Sequence, residues 1–160
     1  MYKHILIPTD GSVLATKAVK QGLDFAKAIG AEVTALTVHE PFHMFTLETE
    51  MLSDTPQIYT KHAKAEAKTI LEKVEALAKA RGVACHLVDT ESDHPYEAII
   101  ATAKKKKCDL IAMASHGRGG VGAVLIGSET QKVLAHSAIP VLVYRLMKLP
   151  VYLSATVKLI

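Results

Sequence analysis

The stretch DLIAMASHGRGGVG, residues 109–122, followed shortly by Gly127-Ser128, decides how this chain folds. Asp109-Leu110-Ile111-Ala112-Met113-Ala114 is a short, nearly continuous apolar run, the pattern of a strand buried on both faces of a parallel sheet. A glycine-rich turn follows, Ser115-His116-Gly117-Arg118-Gly119-Gly120-Val121-Gly122, and the next helix should run from about Ser128 to His136. Ligands of open α/β sheets sit outside the carboxyl ends of the strands, where the strand order reverses. A loop of this kind belongs at that edge.

Working outward, the remaining elements fall into the same alternation. His4-Ile5-Leu6-Ile7 is a β-rich run stopped by Pro8-Thr9-Asp10-Gly11-Ser12. Residues 13–29 place Val13, Leu14, Ala18, Leu23, Phe25, Ala26 and Ile29 at helical spacing, closed by Gly30. A second strand is predicted from Glu32 to His39, and residues 40–55 show no clear period and read as a loop. The longest helix should span about Pro56 to Arg81, with Ala63, Ala67, Ile70, Leu71, Val74 and Leu77 inward and Gly82 as its stop. Val83 to Thr90 reads as a third strand. Asp93-His94-Pro95 opens a helix that continues through Ala98, Ile99, Ile100 and Ala103 to the lysines at 104–107. Pro140 to Tyr144 is the fifth strand. Strands alternating with helices predict a Rossmann-like α/β domain, a parallel sheet with helices on both faces. Residues 1–145 make up that domain, and residues 146–160 form a C-terminal extension of unknown role. Val151-Tyr152-Leu153 within it is β-prone, and an added strand, a subunit contact and an ordered tail are all open.

Composition narrows the function. The 160 residues are 49% hydrophobic but only 5% aromatic, without tryptophan, so aliphatic side chains must fill the core. A net charge of +3 is too small to argue for nucleic acid or a membrane surface, and aromatics do not interleave with basic residues as a single-strand platform requires. Cys85 and Cys108 lack CxxC spacing and a neighbouring histidine pair, so free thiols in a reducing compartment are expected. No apolar stretch reaches the ~18 residues of a membrane span and no signal peptide is evident, which makes a cytoplasmic location the default expectation.

The loop after strand four carries the chemistry. Glycines let backbone N–H groups curl around an anion, and a helix start adds unpaired N–H groups and the positive end of its dipole. Ser128 can add a hydroxyl and Arg118 a charge, which together are the parts of a phosphate cradle. Equally, Ser128 could serve only as an N-cap and the glycines only as a turn. There is no GxxxxGK[ST] motif and no GxGxxG after the first strand.

The spacing of Gly117, nine residues, then Gly127-Ser128 resembles the phosphate-binding signature of the universal stress protein family. The resemblance covers residues 1 to about 145 and includes Pro8-Thr9-Asp10-Gly11-Ser12, Leu36-Thr37-Val38, Ser115-His116-Gly117 and Ile139-Pro140-Val141-Leu142-Val143. The first glycine of the signature is Ala114 here. The resemblance implies a five-stranded parallel sheet in the order 3-2-1-4-5 and, in the ATP-binding branch, ATP with Mg²⁺ bridging its phosphates. It implies that Pro8, Thr9 and Asp10 lie by the nucleotide, Asp10 near adenine and ribose, and that Val38 offers its backbone to the base. Met113, Ala114, Gly117 and Arg118 would line ribose and phosphates. Gly127, Ser128 and the amides of Glu129 and Thr130 would hold the phosphate end. It also implies a homodimer through the fifth strand.

Other features have plainer readings. Lys104 to Lys107 suit the helix dipole and solubility, although an acidic partner could meet them. Ser12 reads as the N-cap of the first helix, and His116 as either a phosphate contact or a loop-shaping residue. His39, His43 and His62 have no recognisable metal-ligand spacing. No general base for attack on a phosphoryl group stands out, Glu97 included. The leading expectation is thus a nucleotide-dependent stress-response or signalling module with little or no hydrolysis and an unknown protein partner. A slow ATPase, a nucleotidyl-transfer relative and a nucleotide-free dimeric interaction module remain as alternatives, and ADP, AMP or a cyclic nucleotide could replace ATP.

Overall fold

Ile5, Leu6 and Ile7 are all fully buried, yet they belong to two different cores. Successive strand side chains point to opposite faces, so a wholly apolar strand needs a helical layer on each side. The computed structural model describes residues 1–42, 56–116 and 126–145 and has that arrangement. Its strands are β1 (His4–Pro8), β2 (Glu32–His39), β3 (Cys85–Glu91), β4 (Leu110–Ala114) and β5 (Val141–Tyr144). They form one parallel sheet in the order β3-β2-β1-β4-β5. The helices are α1 (Val13–Ile29), α2 (Pro56–Arg81), α3 (Pro95–Lys105) and α4 (Ser128–His136).

One core joins Ile5, Ile7, Val33, Ala35, Leu110 and Ala112 of the sheet to Val19, Leu23 and Ala26 of α1 and Leu71, Val74 and Ala78 of α2. The other joins Leu6, Leu36, Ile111 and Met113 to Ile99 and Ala103 of α3 and Val133 of α4. Each such Leu, Ile or Val contributes roughly 1.5–3 kcal/mol when fully buried. The predicted sheet order and two-sided helical cover are both present.

Local rules explain the element ends, including two strand starts that differ from the expectation. Ser12 caps α1, its Oγ accepting from Ala15 N–H at 3.2 Å, and Gly30 closes the helix in the left-handed region at φ 68°. Val13, expected on the inner face of α1, is 74% exposed. The buried stripe is Ala15, Ala18, Val19, Gly22, Leu23 and Ala26, spaced three and four apart, and position 13 falls off that stripe. β3 begins at Cys85 rather than Val83, because Val83 N–H is spent on Ala78 O (3.0 Å) in the turn that ends α2. β4 begins at Leu110 rather than Asp109. The Asp109 carboxylate instead accepts from the backbone N–H groups of Lys3 (2.8 Å) and His4 (3.0 Å), fixing the start of β1 beside it. The loop expected at 40–55 falls largely outside the described residues, as does the extension 146–160. Among the described residues no helix is long and apolar enough to cross a membrane.

Candidate functional site

The strand order reverses between β1 and β4, and the sheet opens there. β1 and β2 pair over five residues, His4–Glu32 to Pro8–Leu36, whereas the β1–β4 ladder ends at Leu6–Ile111. Proline supplies the reason. Thr9 N–H points to β2, donating to Leu36 O at 2.8 Å. Backbone groups of a strand alternate in direction, so the nitrogen of Pro8 faces β4, where it has no hydrogen to donate. The carboxyl ends of β1 and β4 can therefore part and leave a crevice.

The β1 side of this crevice is held by its own side chains. Thr9 is buried; its Oγ1 accepts from Gly11 N–H at 3.3 Å and its carbonyl accepts from the Thr37 hydroxyl at 3.1 Å. Asp10 Oδ1 accepts from Ser12 N–H at 3.0 Å, a turn that sets its carboxylate at the mouth of α1. Gly11 between them has φ 75°, and a Cβ there would lie 2.8 Å from Ile70 Cγ1. Carrying the β1–β2 register two residues beyond Pro8–Leu36 sets Asp10 level with Val38.

The β4 side is closed by the return of the chain. Gly127 N–H donates to Ser115 O at 2.8 Å, and a Cβ on Gly127 would stand 3.3 Å from that oxygen and 3.4 Å from His116 Cα. Such closeness of two backbones accounts for the glycine. The Thr130 hydroxyl, almost wholly buried, donates to Ala114 O at 3.0 Å and pins the first turn of α4 to the end of β4. His116 is half-buried at this neck, with Nδ1 3.2 Å from Ser115 Oγ. Ala114, where the signature has glycine, lies inside β4 and has no positive φ. The Cβ that alanine adds therefore meets no conformational penalty.

Gly127, not Ser128, is the N-cap of α4, and it provides no side-chain cap. The first amide of this end to find a backbone acceptor is Gln131 N–H, on Gly127 O at 3.0 Å. The amides of Ser128, Glu129 and Thr130 ahead of it have no acceptor within the helix. Ser128 is exposed beside them. α1, by contrast, is capped by Ser12, and α3 is capped by a carboxylate from elsewhere: Glu129 Oε2 accepts from Tyr96 N–H at 2.9 Å. The other oxygen of Glu129 accepts from Lys132 Nζ at 2.8 Å, a bond that raises the Lys132 ammonium above its ordinary pKa. Tyr96 donates its hydroxyl to Glu97 at 2.7 Å, which raises the phenol likewise.

The structure thus brings Pro8, Thr9, Asp10 and Val38 together on one side of the reversal. On the other side lie Met113, Ala114, Gly127, Ser128, Glu129 and Thr130. Gly117 and Arg118 lie outside the described residues. Periodicity gave no sign of the hydroxyl of Thr37, the buried Ser115 carbonyl or the Tyr96 amide, since each acts through a contact distant in sequence.

The universal stress protein family profile matches residues 1–145. The chain belongs to the universal stress protein family. Universal stress protein MJ0531 of Methanocaldococcus jannaschii is 34% identical to it over 145 residues, covering 91% of this chain and 83% of the relative. The solved structure of MJ0577, from the same organism, superposes with a TM-score of 0.76 at 29% identity, covering 92% of this chain and 98% of the other. A universal stress protein solved in complex with cAMP shares the fold at a TM-score of 0.66 and 23% identity, covering 90% of this chain and 97% of its own.

Proposed function

We propose that this universal stress protein binds an adenine nucleotide, ATP first among them, in the crevice between β1 and β4, and that the bound state serves as a stress-response signal. The observation that carries the reading is the start of α4 at the reversal point of the sheet, where the N-cap Gly127 makes no side-chain cap bond and, among the described residues, three amides lie open beside Ser128. An uncapped helix start at that place is an anion site in chemical terms. The family signature through Gly127-Ser128 makes the anion a nucleotide phosphate, and Asp10 beside Val38 supplies a polar carboxylate and a strand backbone for ribose and base. That a universal stress protein of the same fold holds cAMP bears on what this architecture can accommodate, not on the ligand of this chain.

Among the described residues no group of three or more His, Cys, Asp or Glu is placed to hold a metal ion. Mg²⁺ would enter on the phosphates, its usual mode in nucleotide sites, and would neutralise their charge there. The chain's own part is to bind and orient. No general base stands out among the described residues of the cradle, so slow turnover is the expectation.

Calorimetric titration of nucleotide-stripped protein with ATP and Mg²⁺ tests this, beside a Gly127→Val variant whose side chain would press on the Ser115 carbonyl. Saturable binding near one site per chain, lost in the variant, is the expected result. Absence of binding at millimolar ATP would refute the reading and favour a nucleotide-free interaction module. Rapid multiple turnover would favour an ATPase instead.

A further inference from the structure

Glu129 presents a problem for an anion site. It stands between Ser128 and Thr130, in the first turn of the helix whose open amides are assigned to phosphate. A carboxylate in the first turn is ordinarily drawn to its own helix start, where it would compete with any incoming anion.

The side chain goes elsewhere. Its Oε2 reaches the N-terminus of α3 and accepts from Tyr96 N–H at 2.9 Å, while Oε1 accepts from Lys132 Nζ at 2.8 Å. α3 is free to receive it: its N-cap, His94, makes no side-chain cap bond, and Pro95 at its first position has no N–H. Lys132 is kept in place in turn, with its Nζ 5.4 Å from the centre of the Tyr96 ring. One helix start is thus satisfied by a carboxylate taken from another.

We propose that Glu129 is a positioning residue: by reaching across to α3 it holds its own charge away from the α4 amides, which sets the preference of the site for phosphate-bearing ligands. This rests on the nucleotide reading above. Side-chain length is the operative variable. An aspartate, one methylene shorter, falls short of Tyr96 and turns its carboxylate onto the amides of its own helix. A glutamine of the same length keeps an oxygen for Tyr96 N–H and removes the charge.

The test compares ATP with Mg²⁺ against adenosine, by calorimetry, on the full chain and on the Glu129→Asp and Glu129→Gln variants. The ATP-over-adenosine preference should fall roughly tenfold in Glu129→Asp, the scale of a charge at a partly buried helix start. It should rise a few-fold in Glu129→Gln. Hydrogen exchange at the Tyr96 amide should be slow in the parent and in Glu129→Gln and fast in Glu129→Asp. A loss shared equally by ATP and adenosine would show a merely structural role and overturn the proposal. A fall in ATP preference in Glu129→Gln would overturn it also, even if the aspartate variant failed to fold, since the carboxylate would then be assisting phosphate binding. If the parent binds ATP and all three proteins share one preference, the inference fails alone; if the parent binds neither ligand, the nucleotide reading fails and takes the inference with it.

Discussion

Replacing Gly11 with alanine tests the β1 side of the crevice most directly. Gly11 has φ 75°, and an added Cβ would lie 2.8 Å from Ile70 Cγ1 and 2.9 Å from Ile70 Cδ1. Alanine in the left-handed region costs about 1–2 kcal/mol. The loss of chain entropy in the unfolded state returns about 0.4–1 kcal/mol. Ile70 is buried in α2, so its side chain must shift against packed neighbours, at about 1–3 kcal/mol for overpacking of this kind. The net cost of Gly11→Ala is about 3 kcal/mol, within about 1–5 kcal/mol, and the central value lowers Tm by roughly 6–12 °C for a chain of this size. Urea unfolding followed by circular dichroism would measure it. The steric part is separable from the backbone part by a cycle with Ile70→Ala. That change alone should cost about 2–4 kcal/mol through the cavity it leaves, but in the double variant the clash disappears. The two costs should therefore sum to about 1–3 kcal/mol more than the double variant loses. Additivity within about 0.5 kcal/mol would refute the contact between the Gly11 turn and α2.

Two further outcomes can be measured on the same protein. Thr130→Val keeps the shape of the side chain but removes the donor to Ala114 O, and should cost about 1–2 kcal/mol in urea unfolding; Thr130→Ser keeps the donor and should cost less, and a reversed order would mean that packing rather than the hydrogen bond holds α4 to β4. Burial pushes the Asp109 carboxyl up, but the N–H groups of His4 and Lys3 outweigh it and hold the group below its ordinary value of 3.8. Its contribution to stability is thus complete above that value and is lost as pH falls through the lower, folded value. Asp109→Asn should flatten that acid limb of the stability profile, and an unchanged slope in acid titration of unfolding would contradict it.

Much of this architecture was legible before any coordinates. β1 and β4 are apolar at successive positions because both faces of the sheet are covered, and a run such as Leu110–Ala114 has few other uses in a chain of this size. Helix ends were legible where one residue enforces them, as at Ser12 and at Gly30. Ends set by competition were not: whether Val83 joins β3 or finishes α2 depends on which acceptor its N–H finds, and it bonds Ala78 O. At the candidate site, glycine spacing and the Gly-Ser helix start pointed to the carboxyl edge of the sheet, and Gly127 and Ser128 stand there after β4. What spacing could not convey was that Gly127 displaces Ser128 from the cap position, that Pro8 ends the β1–β4 ladder, or that Glu129 serves a helix starting at Pro95. Each depends on the relative placement of elements far apart along the chain.

The bond from Gly127 N–H to Ser115 O has a consequence for how such a protein can change over evolutionary time. It ties the end of β4 to the start of α4 through backbone groups alone, so the tie needs no particular side chain at either position. Lengthening a loop whose ends are already joined costs only about 0.6 kcal/mol per doubling. The length of chain between Ser115 and Gly127 can therefore vary at small cost in closure entropy, while the bond between them keeps its place. Loop length and scaffold stability then become separately heritable traits, divided at one backbone hydrogen bond.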